Sequence, residues 1–221
     1  MANSVKAELS ATVKRINLIK IAVVATISVV GLILAAVSIF RGAFLFALAY
    51  LVAGVLGVLY TIIEINSTLP PSIECDGERL ILNTWENGFF PYKIDFTPRF
   101  FADFVPAKSV SSTLPLDDIT ELAIGTKGFL TRTLKSREIE ERLTEICLLS
   151  RRIEGYMKRC DILCVRLKDD SIHMMSVKDF DMDAMYKIID MTEHRIQGLE
   201  FKTNVRKLRR KRETIEGRQR I

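Results

Sequence analysis

From Ile21 to Phe40 the chain carries no charged residue across roughly 20 positions, and from Gly42 to Ile63 none across roughly 22. A helix rises about 1.5 Å per residue, so each stretch is long enough to cross the roughly 30 Å hydrocarbon core of a bilayer. A cleaved secretory signal has a shorter apolar region and a small-residue cleavage site, and no second span would follow it so closely. The sequence therefore predicts a two-helix transmembrane hairpin over residues 18–65. Only Arg41 and Gly42 separate the two stretches. So tight a turn makes the helices antiparallel and brings both ends of the hairpin to one side. Lys6, Lys14, Arg15 and Lys20 flank the first span against the single Arg41 in the turn. The positive-inside rule then places the chain in the cell membrane with both termini cytoplasmic.

Charge locates what the apolar stretches leave over. Residues 1–20 carry four basic and one acidic side chain, and residues 195–221 carry ten and three. With +3 and +7 at the ends and +5 for the whole chain, residues 21–194 carry −5. The basicity belongs to the termini and not to the domain between them. Four cysteines, Cys75, Cys147, Cys160 and Cys164, in a cytoplasmic domain stay reduced, so no disulfide framework is expected.

Val5, Leu9, Val13 and Ile16 recur at helical spacing, which predicts a short amphipathic segment over residues 1–17. Within the spans, Ser28, Gly31, Ala35 and Ser38 form one small-residue stripe and Ala49, Ala53 and Gly57 another. Such stripes let helix backbones approach closely in lipid. They either pack the hairpin on itself or, in a sharper reading, also drive a homo-oligomer. Pro70-Pro71 ends a short stiff linker, and a soluble domain over residues 72–198 follows. Ser72–Cys75, an Asp76-Gly77 turn and Arg79–Trp85 read as a β-hairpin. Leu116 to Ile124 reads as a strand. Residues 86–113 and 126–159 read as insertions, the first broken by Pro91, Pro98 and Pro106. The second carries a helix from about Leu134 to Met157 with Ile139, Leu143, Ile146 and Ile153 on its apolar seam. Asp161–Leu167 and Ser171–Val177 flank Asp169-Asp170 as a second hairpin, with Arg166 opposite His173. A helix opened by Asp179, Asp181 and Asp183 runs to about Arg195, burying Phe180, Met185, Ile188 and Ile189. Residues 199–221 form a basic tail.

Two N-terminal transmembrane helices precede Ile-Glu-Cys-Asp-Gly-Glu-Arg-Leu-Ile-Leu at residues 73–82. Leu-Pro-Leu-Asp-Asp-Ile follows at 114–119, and then a terminal hairpin and helix. This arrangement resembles the membrane-anchored bacterial PH-like domain proteins. The resemblance implies an α+β membrane protein whose bent antiparallel sheet is closed by a C-terminal helix, with no shared catalytic activity attached.

With only His173 and His194 in the chain, a nucleophile, base and orienting group have few places to assemble, and neither histidine neighbours an elbow-like Ser or Cys. The scattered glycines form no phosphate-cradling loop. Cys160, Cys164 and His173 share one face in the expected hairpin, but structural zinc wants four ligands, so a semi-buried sheet face accounts for them. Asp179, Asp181 and Asp183 imitate a calcium loop, yet Ala184 stands where glycine is needed; acidic residues in a first helical turn are the simpler account. The reading is a non-enzyme with no cofactor and no metal.

Two surfaces remain. Trp85, Phe89, Phe90, Tyr92, Phe96, Phe100, Phe101 and Phe104 gather eight of the chain's 18 aromatics into about a tenth of its length. They fill a gap in the core, or Phe89, Phe90, Phe100 and Phe101 contact the bilayer or a partner. In the tail, Phe201, Val205, Leu208 and Ile215 fall at helical spacing among Arg206, Lys207, Arg209, Arg210, Lys211 and Arg212. A basic amphipathic helix beside a membrane fits anionic lipid. Nucleic acid does not fit, because no stacking aromatics interleave with the cations. The expectation is a membrane-tethered binding or scaffolding module that meets a cytoplasmic or membrane protein partner and anionic lipid. The alternative is an accessory subunit of a transporter or channel.

Overall fold

The computed structural model describes residues 4–68, 71–89, 92–94, 104–106, 108–134, 136–148 and 159–219. Strand β1 (Val5–Glu8) opens the chain and leads into helix α1 (Ala11–Phe40), which is followed by α2 (Phe44–Thr68). Both helices are long and apolar enough to cross a membrane. Their outer faces are open, with Phe44 70% and Leu45 84% exposed, unlike core helices of a soluble protein. The reversal is made by Arg41 and by Gly42, whose φ of +71° suits a residue without Cβ. Ser28 and Ala35 of α1 and Ala47 and Gly54 of α2 are buried, and a Cβ on Gly31 would lie 3.5 Å from the Gly54 backbone. A Cβ on Gly54 would press 2.8 Å from the Leu32 side chain, and one on Gly57 would collide with the Ser28 hydroxyl. The α1 stripe is as expected. On α2, Gly57 makes the contact as expected, but Ala49 and Ala53 face outward, and Ala47 and Gly54 are the buried positions instead.

The remaining chain builds two four-stranded sheets. The first has the order β1-β2-β3-β6, with β2 (Ser72–Cys75), β3 (Arg79–Trp85) and β6 (Ser109–Pro115), all antiparallel. A small separate hairpin pairs β4 (Tyr92–Ile94) with β5 (Phe104–Pro106). After β6, a single 3-10 turn over Leu116–Asp118 buries Leu116 and leads into β7 (Ile119–Gly125). The second sheet has the order β10-β7-β8-β9, with β8 (Ile162–Leu167), β9 (Ile172–Ser176) and β10 (Phe201–Thr203); β10 runs parallel to β7 and the other pairs are antiparallel. The sheets meet where the Ser176 N–H donates to the Gly88 carbonyl at 3.2 Å.

Strand β8 is buried on both faces, which explains its uninterrupted apolar run. Leu163 and Val165 join Ile73, Leu80, Leu114 and Met175 in the core between the sheets. Ile162 and Cys164 point the other way, into a second core covered by α3 (Lys127–Leu134) and α4 (Arg137–Leu148) through Leu130, Ile139 and Leu143. Helix α5 (Met182–Arg195) closes the first core with Met185, Ile188 and Ile189 and lies against β1 and β2. Helix α6 (Arg206–Gln219) packs on α5 through Leu208.

Four expectations are corrected. The amphipathic N-terminal segment is helical only from Ala11; Val5–Glu8 is a strand, because an antiparallel partner in β2 and a buried seat for Ala7 outweigh a weak helical pattern. The helix expected from Leu134 to Met157 is two shorter ones meeting near Ser136, and residues 149–158 lie outside the described residues. The tail does not begin at 199: β10 joins the sheet and Phe201 is buried in it. In the β8–β9 hairpin, Val165 and not Arg166 stands opposite His173. Asp170 adopts φ +62°, and the Leu167 N–H donates to the Ser171 carbonyl at 3.0 Å across a three-residue loop. The expected two-residue loop slips the register by one, which exchanges faces.

Candidate membrane-facing site

The junction between hairpin and domain is built from short backbone contacts. The Ser10 N–H donates to the Asp179 carbonyl at 2.9 Å, and the Asp181 N–H donates to the Glu8 carbonyl at 2.8 Å. Leu9 and Phe180 form an isolated antiparallel bridge between them. Lys14 and Lys6 both pair with Glu8, and they hold its carboxyl below the usual carboxylate range, Lys14 most strongly. The three alternating aspartates thus have separate tasks. Asp179 makes the turn at φ +64°, Asp181 caps α5 by accepting from the Asp183 N–H at 2.9 Å, and Asp183 pairs with Lys211. Among the described residues, no group of three His, Cys, Asp or Glu is gathered closely enough to hold a metal ion.

Depth along α1 follows from its regular rise. Val13 and Asn17 border a crevice of about 170 Å³ with Thr84, Trp85 and Phe89. Asn17 precedes Ile21, the first residue of the uncharged stretch, by four positions, or about 6 Å of helix. The far end of β3 therefore lies beside the first turns of α1. Phe89 is buried, packed in the second core among residues including Leu130, Ile172 and Met174. It belongs to the core and not to a contact surface. Phe90, Phe100 and Phe101 lie outside the described residues.

Helix α6 separates its cations by face. Lys207, Arg210, Lys211 and Thr214 border an open groove of about 720 Å³ shared with Ser10, Met182 and Asp183. Arg209, Arg212 and Glu213 border a different crevice with Tyr186, Ile189 and Glu193. Lys211 also lies over the Tyr186 ring, 5.2 Å from its centroid. Arg212 pairs with Glu193 at 3.3 Å and donates to the Phe201 carbonyl at 3.2 Å. Arg209 reaches Glu213 at 4.0 Å. Arg206, Lys207 and Arg210 are exposed. The six tail cations are on one helix, as the sequence suggests, but they do not act alike. Sequence inspection gives no hint of Glu8, Ser10 or Asp179 as the junction, because backbone carbonyls and amides carry it and no side-chain motif marks it.

Comparison with protein-family models, with curated proteins and with solved structures finds no match to this chain.

The reactive groups are placed quietly. Burial pushes the Cys164 thiol up to about 12 and raises Cys75 as well, so neither is a ready thiolate. Cys160 is buried with its Sγ 2.9 Å from the Ser176 hydroxyl. Burial and then the Arg142 charge lower the His173 pKa, favouring the neutral ring. With His173 opposite Val165 and Cys164 opposite Met174, the two stand on opposite faces of the sheet. The shared face expected for Cys160, Cys164 and His173 is therefore not formed. His194 is exposed and lies 3.6 Å from Asp190 on its own helix.

Proposed function

We propose that this chain is a membrane-tethered, non-enzymatic docking module. Its hairpin spans the cell membrane with both termini cytoplasmic, and its sheet domain presents a fixed surface to a protein partner at the bilayer. The observation that carries this reading is the junction. Strands β1 and β2 are neighbours in one sheet, and the hairpin is the connection between them. Both helices thus enter the same sheet through its adjacent strands, and contacts through Ser10 and Asp181 fix the start of α1 to α5. A domain tied at two points has little freedom to tumble above the membrane. That suits a platform whose height and orientation matter. The open outer faces of α1 and α2 support insertion in lipid.

Two sheets around one core, closed by a helix after the final hairpin, support the PH-like reading. In that reading α3 and α4 are an addition on the outer face of the second sheet. The buried, protonated thiols and the separated His173 support a binding role over nucleophilic catalysis.

Crosslinking the full chain in native membranes, followed by mass spectrometry of the captured species, tests the proposal. A cytoplasmic protein joined to the sheet domain is the expected result. A stoichiometric multi-span partner joined through α1 or α2 would replace the docking role with that of an accessory subunit.

A further inference from the structure

We infer that Lys207 and Arg210, together with Arg15 and Lys20 of α1, form a cationic surface that faces the anionic leaflet of the tethering bilayer, with the two α6 cations held about one Debye length above it. Lys211 and Arg212 instead hold α6 in place, through Asp183, Glu193 and the Phe201 carbonyl. Lys207 and Arg210 border the groove beside Ser10, the residue that precedes α1, so they lie on the side of α6 from which the hairpin departs. Arg209 and Arg212 turn to the opposite side, toward Glu213 and Glu193. Lys211 borders the groove but is taken by Asp183 and the Tyr186 ring. Asp181 also borders it, with one oxygen engaged in capping α5. Arg15 and Lys20 are exposed between this groove and the uncharged stretch.

Ser10 precedes Ile21 by eleven positions, about 16 Å along the helix, and the polar layer of a bilayer takes up roughly 5–7 Å of that. The remaining gap is close to one Debye length, about 8 Å at physiological ionic strength. The groove cations therefore feel the surface field of anionic lipid without entering the headgroup layer. A cation at the surface strengthens binding about fivefold, and nearer twofold at that distance. This names which residues meet the lipid in the docking reading. It requires only that the hairpin spans the membrane, so its failure leaves the protein-partner test untouched.

The test uses the full chain in lipid nanodiscs, with amide hydrogen exchange read over residues 206–214. Discs containing anionic lipid should slow exchange there by roughly fourfold relative to neutral discs, from two cations at about twofold each. High salt should remove the difference. The double variant Lys207→Gln with Arg210→Gln should lose it too, while Arg209→Gln keeps it. Equal exchange on neutral and anionic discs overturns the inference, as does an equal loss in Arg209→Gln. Inorganic phosphate reproducing the protection on neutral discs would overturn the lipid assignment in favour of a free phosphate ligand.

Discussion

Glu8 and Ser72 stand opposite one another as the pair of the β1–β2 ladder nearest the hairpin, with the whole of α1 and α2 inserted between them. The hairpin occupies the place of a turn. Replacing residues 11–68 with a short glycine-rich loop should therefore give a water-soluble domain that unfolds cooperatively. Starting the chain at Pro71 instead removes β1 and uncovers Ile73 and Phe180 of the first core. At roughly 1.5–3 kcal/mol for each large apolar side chain exposed, that fragment should lose about 3–6 kcal/mol or fail to fold. Thermal unfolding followed by near-ultraviolet dichroism compares the two. Equal stability would mean that β1 is dispensable.

Three of the native thiols are poor reporters of membrane orientation. Cys75, Cys160 and Cys164 are buried, so their silence toward an impermeant reagent says nothing of the side they occupy. Arg41→Cys in the hairpin turn and Ser109→Cys at the start of β6 are both exposed positions. Intact cells should label the first and spare the second. The reverse pattern would place both termini outside.

The hairpin interface separates Gly57 from Ala53. A side chain at Gly57 meets Ser28, whereas Ala53 faces outward. Gly57→Val should destabilise the hairpin by about 1–3 kcal/mol, the usual cost of overpacking a close contact. Ala53→Val should be nearly neutral when thermal stability is measured in a mild detergent. A marked loss at Ala53 would show that its face is also packed, as a homo-oligomer requires.

Asp161 gives a pH signature. Burial, and then the negative charge of Asp179, raise its carboxyl above the ordinary value of 3.8. An acid raised on folding opposes stability when ionised. Its penalty is fully present above the folded pKa and disappears as pH falls below the unfolded one. Asp161→Asn should raise the melting temperature at neutral pH, and the gain should shrink to nothing as pH drops below about 4, near the unfolded carboxylate value. A gain that persists unchanged in acid would point to a cause other than charge.

Features of strong local chemistry were legible in the sequence. The two apolar stretches need only composition and length, and Gly42 marks their reversal. The Asp76-Gly77 hairpin and the aspartate-capped α5 were legible because turn and cap preferences act within a few residues. Tertiary structure decided the rest. A four-residue segment such as Val5–Glu8 has too little pattern of its own, and its conformation came from the strand that the hairpin brings back beside it. The β8–β9 register turned on one residue in the left-handed conformation at Asp170, which composition does not reveal. In the tail, the spacing that suggested one amphipathic helix spans a strand and a helix. Phe201 is held by β7 and Leu208 by the first core. Which cations of α6 face the groove and which face Glu193 depended on where Leu208 seats the helix, because a helix fixes the relative directions of its side chains but not the face that packs.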